Sequence, residues 1–367
     1  MSIVAKRSKK NQESEGVLLS GLPDHLAQVV LSSVNNPCLL YSVSRCWRNL
    51  LYSPSFPPFL SLYALLSDPS SSSSIELACF DPISGRWSNL PPPDPDLFPP
   101  LVLRHPSFIA RSLPIQSVSV SDQLVFLAAT THHLLPALSS PLIFNPLTKS
   151  WDLGPPISTP RRWCATGTLA NFVYLASGVG SSGYTQDVAR SAEKWMLVSN
   201  EWRWEKVAPL THGRFSREAV EGVGWRGKLC VVNVKGNVIK EGVLYDQNTD
   251  TWREMPPGML SGWNGPTASM NEEVIYSVDE DKGVLMRYIS DSDAWEVLLD
   301  APEIFKGAVQ IAARGGRVCV VCGGGTAVVV VDVVAQPPRI VSILEPPRPH
   351  INFVAVHVLP RLSTSAS

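Results

Sequence analysis

Cys319 and Cys322 stand in Cys-x-x-Cys spacing, the arrangement of a redox dithiol or of half a zinc site. Either chemistry requires the two sulfurs to converge. The run 318–322 is Val-Cys-Val-Val-Cys and reads as a strand, in which positions i and i+3 face opposite sides of the sheet. No second cysteine pair is present to complete a metal shell. His132-His133 is a lone pair in a loop-like stretch, and the histidines at 25, 105, 212, 350 and 357 show no paired arrangement. Gly323-Gly324-Gly325 follows a strand-like run, but no helix pattern comes after it, which argues against a phosphate cradle. Gly-x-Ser-x-Gly, Walker and Rossmann fingerprints are absent. The residue types therefore point to a non-catalytic binding protein, with no metal or cofactor expected.

The side chains best suited to recognition recur in loops. They are Arg161-Arg162-Trp163, then His212-Gly213-Arg214-Phe215 with Arg217, then Trp263-Asn264, Lys306, and Arg348 with His350. Arginine and tryptophan are enriched at binding hot spots. From these, Arg161, Arg162, Arg214, Arg217 and Trp263 are the candidate target-binding residues. The alternative is that the arginines bond neighbouring carbonyls and only join elements of the scaffold.

A repeat positions these loops. An aromatic residue is followed seven places later by tryptophan in Phe80 to Trp87, Phe144 to Trp151, Trp195 to Trp202, Tyr245 to Trp252 and Tyr288 to Trp295. The tryptophans lie 64, 51, 50 and 43 residues apart, a period that marks a repeat architecture. Asp or Asn after the aromatic can bond the backbone two residues on, and Pro82 and Pro146 preset a turn. Each unit thus reads strand, tight turn, strand, followed by proline in Leu90-Pro91, Gly154-Pro155 and Met255-Pro256. In the third unit Trp204, rather than Trp202, fits the downstream half ending at Val207-Ala208-Pro209. Between tryptophans lie short apolar runs at 124–128, 172–176, 229–232, 274–276 and 318–322, which read as strands buried on both faces. Strand-like stretches such as 162–169 and 218–225 precede them. Four short strands per repeat around a ring describe a β-propeller.

Residues 75–360 at about 45–50 per blade give six blades, with five or seven as alternatives. The sixth would combine 75–81 and 87–90 with 350–359, closing the ring with both termini. The hairpin 328–332 to 340–344 has lost its tryptophan.

The segment before the repeats is helical. Gly21-Leu22-Pro23-Asp24 opens a helix whose apolar face is Leu22, Leu26, Val29, Val30 and Val34. Pro37 begins a second short helix through Leu39 and Leu40. Val43, Cys46, Trp47, Leu50 and Leu51 form the stripe of a third. Some 40 residues of short helix bury too little core alone, so this segment wants a partner. The stretch 61–74, ending in a serine run, reads as a linker.

The chain has 367 residues and a formal charge of −1, which removes the electrostatic case for nucleic acid. Apolar residues at 44% supply a large core, and 32 prolines suit a chain of turns and short strands. No apolar run reaches a membrane-spanning length, and Met1–Arg7 lacks a secretory core. Lys6-Arg7-Ser8-Lys9-Lys10 reads as a solvated basic tail, with a nuclear address as the alternative. Seven cysteines, an odd number, suit free thiols in a reducing compartment. Cytoplasm, nucleus or both are the expected locations.

Two resemblances join these observations. An apolar strand, aromatic-Asp-Pro and a later tryptophan resemble the kelch repeat over about three quarters of the chain. The match is divergent: the double glycine survives clearly only at Gly323-Gly324-Gly325. Leu22-Pro23, Leu31, Leu39-Leu40 and Ser44-Arg45-Cys46-Trp47-Arg48-Asn49-Leu50 resemble an F-box. Together they resemble plant F-box/kelch-repeat proteins of the SKP-interacting-partner type. The resemblance implies a mainly β fold, a kelch-like β-propeller preceded by a small all-α F-box. Its expected divisions are a disordered tail at 1–16, the F-box at 17–60, the linker at 61–74, the propeller at 75–360 and a tail at 361–367. It implies the substrate-recognition subunit of an SCF-type (Skp-cullin-F-box) E3 ubiquitin ligase. Leu22, Pro23, Leu26, Val30, Leu39, Leu40 and Trp47 would bind the Skp-type adaptor, and through it a cullin. The propeller would recruit an unknown protein for ubiquitination, with no nucleic-acid or membrane partner. Arginines at this place in animal kelch receptors line the target pocket, which singles out Arg162 and Arg214 and suits an acidic or phosphorylated segment. The competing readings are a non-ligase propeller scaffold and a propeller oxidase.

Overall fold

The aromatic-to-tryptophan spacing resolves into a hairpin. In the computed structural model the pairs Phe80–Trp87, Phe144–Trp151, Tyr245–Trp252 and Tyr288–Trp295 stand directly opposite each other on adjacent antiparallel strands. The turns form as their residues require. The carboxylate or amide of Asp81, Asn145 and Asp246 accepts the backbone N–H two residues on, at 2.8, 2.9 and 3.0 Å. Gly85, Lys149, Asp250 and Asp293 then take left-handed φ of 67°, 55°, 48° and 48° before the outer strand begins.

The structure describes residues 18–34, 37–69, 75–94, 100–105, 107, 113–198, 202–217, 220–233 and 240–362. The basic tail and the last five residues lie outside them. The chain divides into two units, meeting in sequence between Phe59 and Leu60.

The larger unit, Leu60–Leu362, is a six-bladed propeller. From the axis outward, blade 1 is Asn352–Pro360, Leu60–Ser67, Ile75–Asp81 and Arg86–Asn89. Blade 2 is Gln116–Val120, Gln123–Ala128, Leu142–Asn145 and Ser150–Leu153. Blade 3 is Ala165–Leu169, Phe172–Ala176, Ala192–Met196 and Glu205–Val207. Blade 4 is Val220–Trp225, Lys228–Asn233, Gly242–Asp246 and Thr251–Glu254. Blade 5 is Thr267–Met270, Val274–Asp279, Val284–Ile289 and Ala294–Asp300. Blade 6 is Gln310–Arg314, Arg317–Cys322, Ala327–Asp332 and Arg339–Leu344.

Blade 1 corrects the linker expectation. Residues 61–67 are not a linker: Leu60–Ser67 pairs with Ile75–Asp81 on one side and with the C-terminal strand on the other. Its six central residues are all buried, as a nearly continuous apolar run in a central strand demands. Closure is tightened by Tyr63, whose hydroxyl donates to Pro360 O at 2.7 Å. Gln310 of blade 6 also bonds both backbone groups of Val356, accepting from its N–H at 3.0 Å and donating to its carbonyl at 3.2 Å. The stretch 162–169 also divides, because Arg161–Arg162 pairs separately with Val179–Gly180.

The core of the propeller is six apolar clusters, one in each seam between neighbouring blades. The tryptophans seal these seams. Their indole N–H groups donate to a carbonyl just past the previous blade's outer strand: Trp87 to Glu345, Trp151 to Pro91, Trp204 to Pro155, Trp252 to Ala208 and Trp295 to Met259, at 2.6–3.1 Å. Trp204 is buried and takes this place in blade 3, while Trp202 is exposed. Blade 6 has no tryptophan to repeat the bond.

The smaller unit contains helices Asp24–Ser32, Pro37–Tyr41 and Arg45–Tyr52. Pro23 caps the first, and Leu26 and Ala27 N–H bond its carbonyl at 3.0 Å. Ser44 caps the third, its hydroxyl accepting from Trp47 N–H at 3.2 Å. Val43 therefore lies before the helix and is exposed, not on its buried stripe. Leu31, Leu40, Leu50, Leu51 and Phe56 make the small core.

Candidate functional site

The helical unit divides its apolar residues between two destinations. One set fills the core just described. The other faces solvent: Leu22, Leu26, Val29, Val30, Leu39 and Val43 are each 38–66% exposed. Leu26, Val29 and Val30 follow helical spacing, so they share one side of the first helix, whereas Leu22 lies before its Pro23 cap and is not on the helix. Of the seven candidate adaptor contacts, Leu22, Pro23, Leu26, Val30 and Leu39 are exposed. Leu40 is a correction: it is buried in the core, one helix position from exposed Leu39. Trp47 is half-buried, and its indole N–H donates to Leu18 O at 2.7 Å, which ties the entering chain to the third helix. Arg48 donates to Tyr41 O at 2.8 Å and lies over the Tyr41 ring, joining the second and third helices.

The propeller loops sort the five candidate target contacts. Arg161 is 2% exposed and its guanidinium is committed to the scaffold. It pairs with buried Glu193 at 2.7 Å and donates to Thr159 O, Ser177 O and Ser191 Oγ at 3.0, 3.1 and 2.6 Å. Arg162 is also buried, its guanidinium 3.6 Å from the Trp163 ring centre. Trp263 is fully buried, packs edge-on against Trp295 and donates to Glu221 Oε2 at 3.1 Å. These three fail as surface contacts because residue type does not fix direction. Arg214 and Arg217 remain. Arg214 is well exposed and pairs with Glu241 at 2.5 Å. Arg217 is half-buried. The two line one cavity of about 440 Å³ with Tyr184, Gln186, His212 and Ser216.

A second space runs along the axis, a channel of about 570 Å³ walled by the innermost strands of all six blades. Ser117, Ser119, Thr166 and Thr168 give it hydroxyls, and Arg314 pairs with Asp122 at 2.5 Å. His357, which sequence reasoning left aside, is buried on its wall, 2.9 and 3.0 Å from the hydroxyls of Ser117 and Ser119. Burial pushes its imidazole down to about 4, so it is neutral at pH 7.

The Cys-x-x-Cys pair separates as strand geometry requires. Cys319 packs in the seam between blades 6 and 1, and Cys322 in that between blades 5 and 6. Burial pushes both thiols up to about 12. All seven cysteines are free, and His132 and His133 are exposed. Among the described residues no group of three His, Cys, Asp or Glu side chains is placed to hold a metal.

The chain is 46% identical to the F-box/kelch-repeat protein SKIP25 of Arabidopsis thaliana, over 98% of this chain and 94% of that protein. The chain belongs to the F-box/kelch-repeat family. A more distant relative is the F-box protein AFR of Arabidopsis thaliana, 26% identical over 70% of this chain and 67% of its own length. No protein-family model matches. Among solved structures, a chain of the nidogen/laminin complex matches with TM-score 0.51 and 8% identity, over 82% of this chain and 98% of that one. That likeness concerns the propeller fold alone. For an F-box/kelch-repeat chain, the three-helix unit is the F-box and the six blades are the kelch propeller.

Proposed function

We propose that this F-box/kelch-repeat chain is the target-holding subunit of an SCF-type E3 ubiquitin ligase. F-box proteins in general bind Skp-type adaptors and target proteins, and members of this family are in general non-catalytic adaptors. In this reading the helical unit docks on the adaptor, and through it on a cullin, while the propeller holds the protein to be ubiquitinated. The working location is the cytoplasm, the nucleus or both.

One observation carries the reading. The helical unit satisfies its own small core, yet leaves six large aliphatic side chains at 38–66% exposure. Exposed aliphatic side chains in that number on so small a unit mark an interaction surface. The test is co-purification of the full chain with a Skp-type adaptor. Leu26→Glu and Val30→Glu should each weaken the complex by about 2 kcal/mol or more, roughly thirtyfold, as charges placed in an apolar interface do. Leu22→Ala and Trp47→Ala extend the scan. Adaptor binding unchanged in the two glutamate variants refutes the docking face.

A further inference from the structure

The crossover loop of blade 3, residues 177–191 between its second and third strands, and the link from blade 3 to blade 4 line an open cavity of about 440 Å³ that holds Arg214 and Arg217. Its walls are fixed by bonds between the two segments. Arg190 Nε donates to Leu210 O at 2.9 Å, and Leu210 N–H donates back to Arg190 O at 2.8 Å. Ser216 Oγ lies 3.1 Å from Ser177 Oγ, and the Ser177 carbonyl receives Arg161 of the buried ion pair. Helix Gln186–Arg190, capped by Thr185, stands on one side. Phe215 anchors the other side in the seam between blades 3 and 4. The cavity is therefore set by the scaffold rather than by its own polar side chains.

Those side chains are of one kind. Tyr184, Gln186, His212, Arg214, Ser216 and Arg217 can all donate hydrogen bonds, and no carboxylate lines the cavity among the described residues. Arg214 gives Nη1 to Glu241. Its other N–H groups make no bond to the described residues. Arg217 Nη1 is buried, and no described residue accepts from it. Leaving a buried charged donor without a protein acceptor is costly, and proteins rarely do it away from functional sites. Tyr184 is held close, because even a methyl group added at Gly213 would lie 2.8 Å from its hydroxyl.

We propose that this cavity binds a phosphate monoester, carried on a phosphorylated serine or threonine of the target protein. Two guanidinium groups and two hydroxyls on the walls of one cavity suit a tetrahedral dianion with three acceptor oxygens. A planar carboxylate is satisfied by a single arginine fork and leaves the second cation unused. The proposal rests on the reading of the propeller as the target-holding half.

The test uses the full chain purified with its adaptor, at fixed ionic strength. Fluorescence anisotropy compares degenerate peptides carrying serine, phosphoserine or glutamate at one central position, and calorimetry titrates inorganic phosphate and free phosphoserine. Phosphoserine peptides should bind saturably and at least tenfold tighter than the serine or glutamate peptides and than free phosphoserine. Arg217→Ala and Arg214→Ala should each weaken that binding at least tenfold, with Arg217→Lys recovering part of it. Arg214 is well exposed, so its variant tests the site even where Arg217→Ala unfolds the loop. Absence of saturable binding by every phosphate probe, or binding indifferent to both alanine variants, overturns the site. Inorganic phosphate binding as tightly as the best phosphopeptide overturns the assignment to a protein segment. Leu26→Glu separates the two readings: it should abolish adaptor binding and leave phosphopeptide binding intact.

Discussion

Gly224→Ala should damage the propeller more than its single added methyl suggests. Gly224 lies on the innermost strand of blade 4, and a Cβ there would stand 1.9 Å from Thr168 O and 3.0 Å from the Thr168 carbonyl carbon on blade 3. At Gly222 the corresponding distance to Thr166 O is 2.5 Å. The two strands therefore pack backbone against backbone, and no rotamer change can relieve the clash. A tolerable Cβ···O contact needs more than 3.0 Å, so the blades must part by over an ångström, or the strand must twist. The seam beside it is filled by Leu169, Leu229 and Phe215, and close-packed interiors do not give that much. Overpacking of this sort costs roughly 1–3 kcal/mol, and the rigid partner places this case near the top of the range. The reduced freedom of the unfolded chain returns about 0.4–1 kcal/mol. A net loss of about 2 kcal/mol lowers Tm by roughly 4–8 °C. Differential scanning calorimetry measures it, with Gly180→Ala as the control. There the nearest atoms are 3.6 Å away, and the change should stay within about 0.5 kcal/mol. A Gly224→Ala protein that melts with the control refutes the backbone-to-backbone seam.

Three other outcomes follow from the same geometry. His357 is held neutral by burial, with its folded value at about 4 and its unfolded value near 6.5, so the unfolded chain binds the extra proton between those limits. Stability from this group is complete above pH 6.5 and is lost as pH falls toward 4, by up to roughly 3 kcal/mol. The denaturation midpoint of His357→Gln should lose its share of that slope, and parallel pH curves for the two proteins contradict the assignment. Trp252→Phe keeps the ring against Tyr245 but deletes the 2.6 Å bond to Ala208 O, and urea denaturation should show a loss of about 1 kcal/mol. Leu40→Ala should unfold the helical unit by some 2–5 kcal/mol, seen as lost helical circular dichroism, whereas exposed Leu39→Ala should leave that signal unchanged.

The architecture was legible where a period exposed it. Aromatic and tryptophan seven apart predict a hairpin, and five recurrences mark a propeller; the count of six came from repeat length, with five and seven left open, and the six four-stranded sheets decide it. The separation of Cys319 from Cys322 is legible for the same reason, because a strand of period two sends positions three apart to opposite faces. Leu60–Ser67 was missed because the closing blade takes strands from both ends and carries no marker ahead of its aromatic. The serine run after it has the composition of a linker, although the six residues 61–66 ahead of it are buried. At the candidate sites sequence spacing was weaker evidence. Arg161 and Trp263 looked like Arg214 and Arg217, since all four follow blade-ending turns, but the pattern does not say which way a loop side chain points. His357 carried no signal beyond its place in a strand.

The difference between scaffold and recognition lies in how far each side chain's bonding capacity is used up inside the fold. Arg161 spends its guanidinium on a carboxylate, two carbonyls and a hydroxyl, all from its own blade and the link before it. Nothing of it remains for a partner, and its loss would loosen the crossover loop of blade 3. Arg217 lies on the link to blade 4, which faces that loop across the cavity, with a buried nitrogen that no described residue receives. The contrast recurs in the helical unit, where Leu40 is consumed by the core and neighbouring Leu39 is not. In both units the residues that close the fold stand beside the ones left over. A variant of Arg161 or Leu40 should therefore lose binding only together with stability. A variant of Arg214 or Leu39 should lose binding while stability holds, and that pairing makes each interface testable without knowing the target.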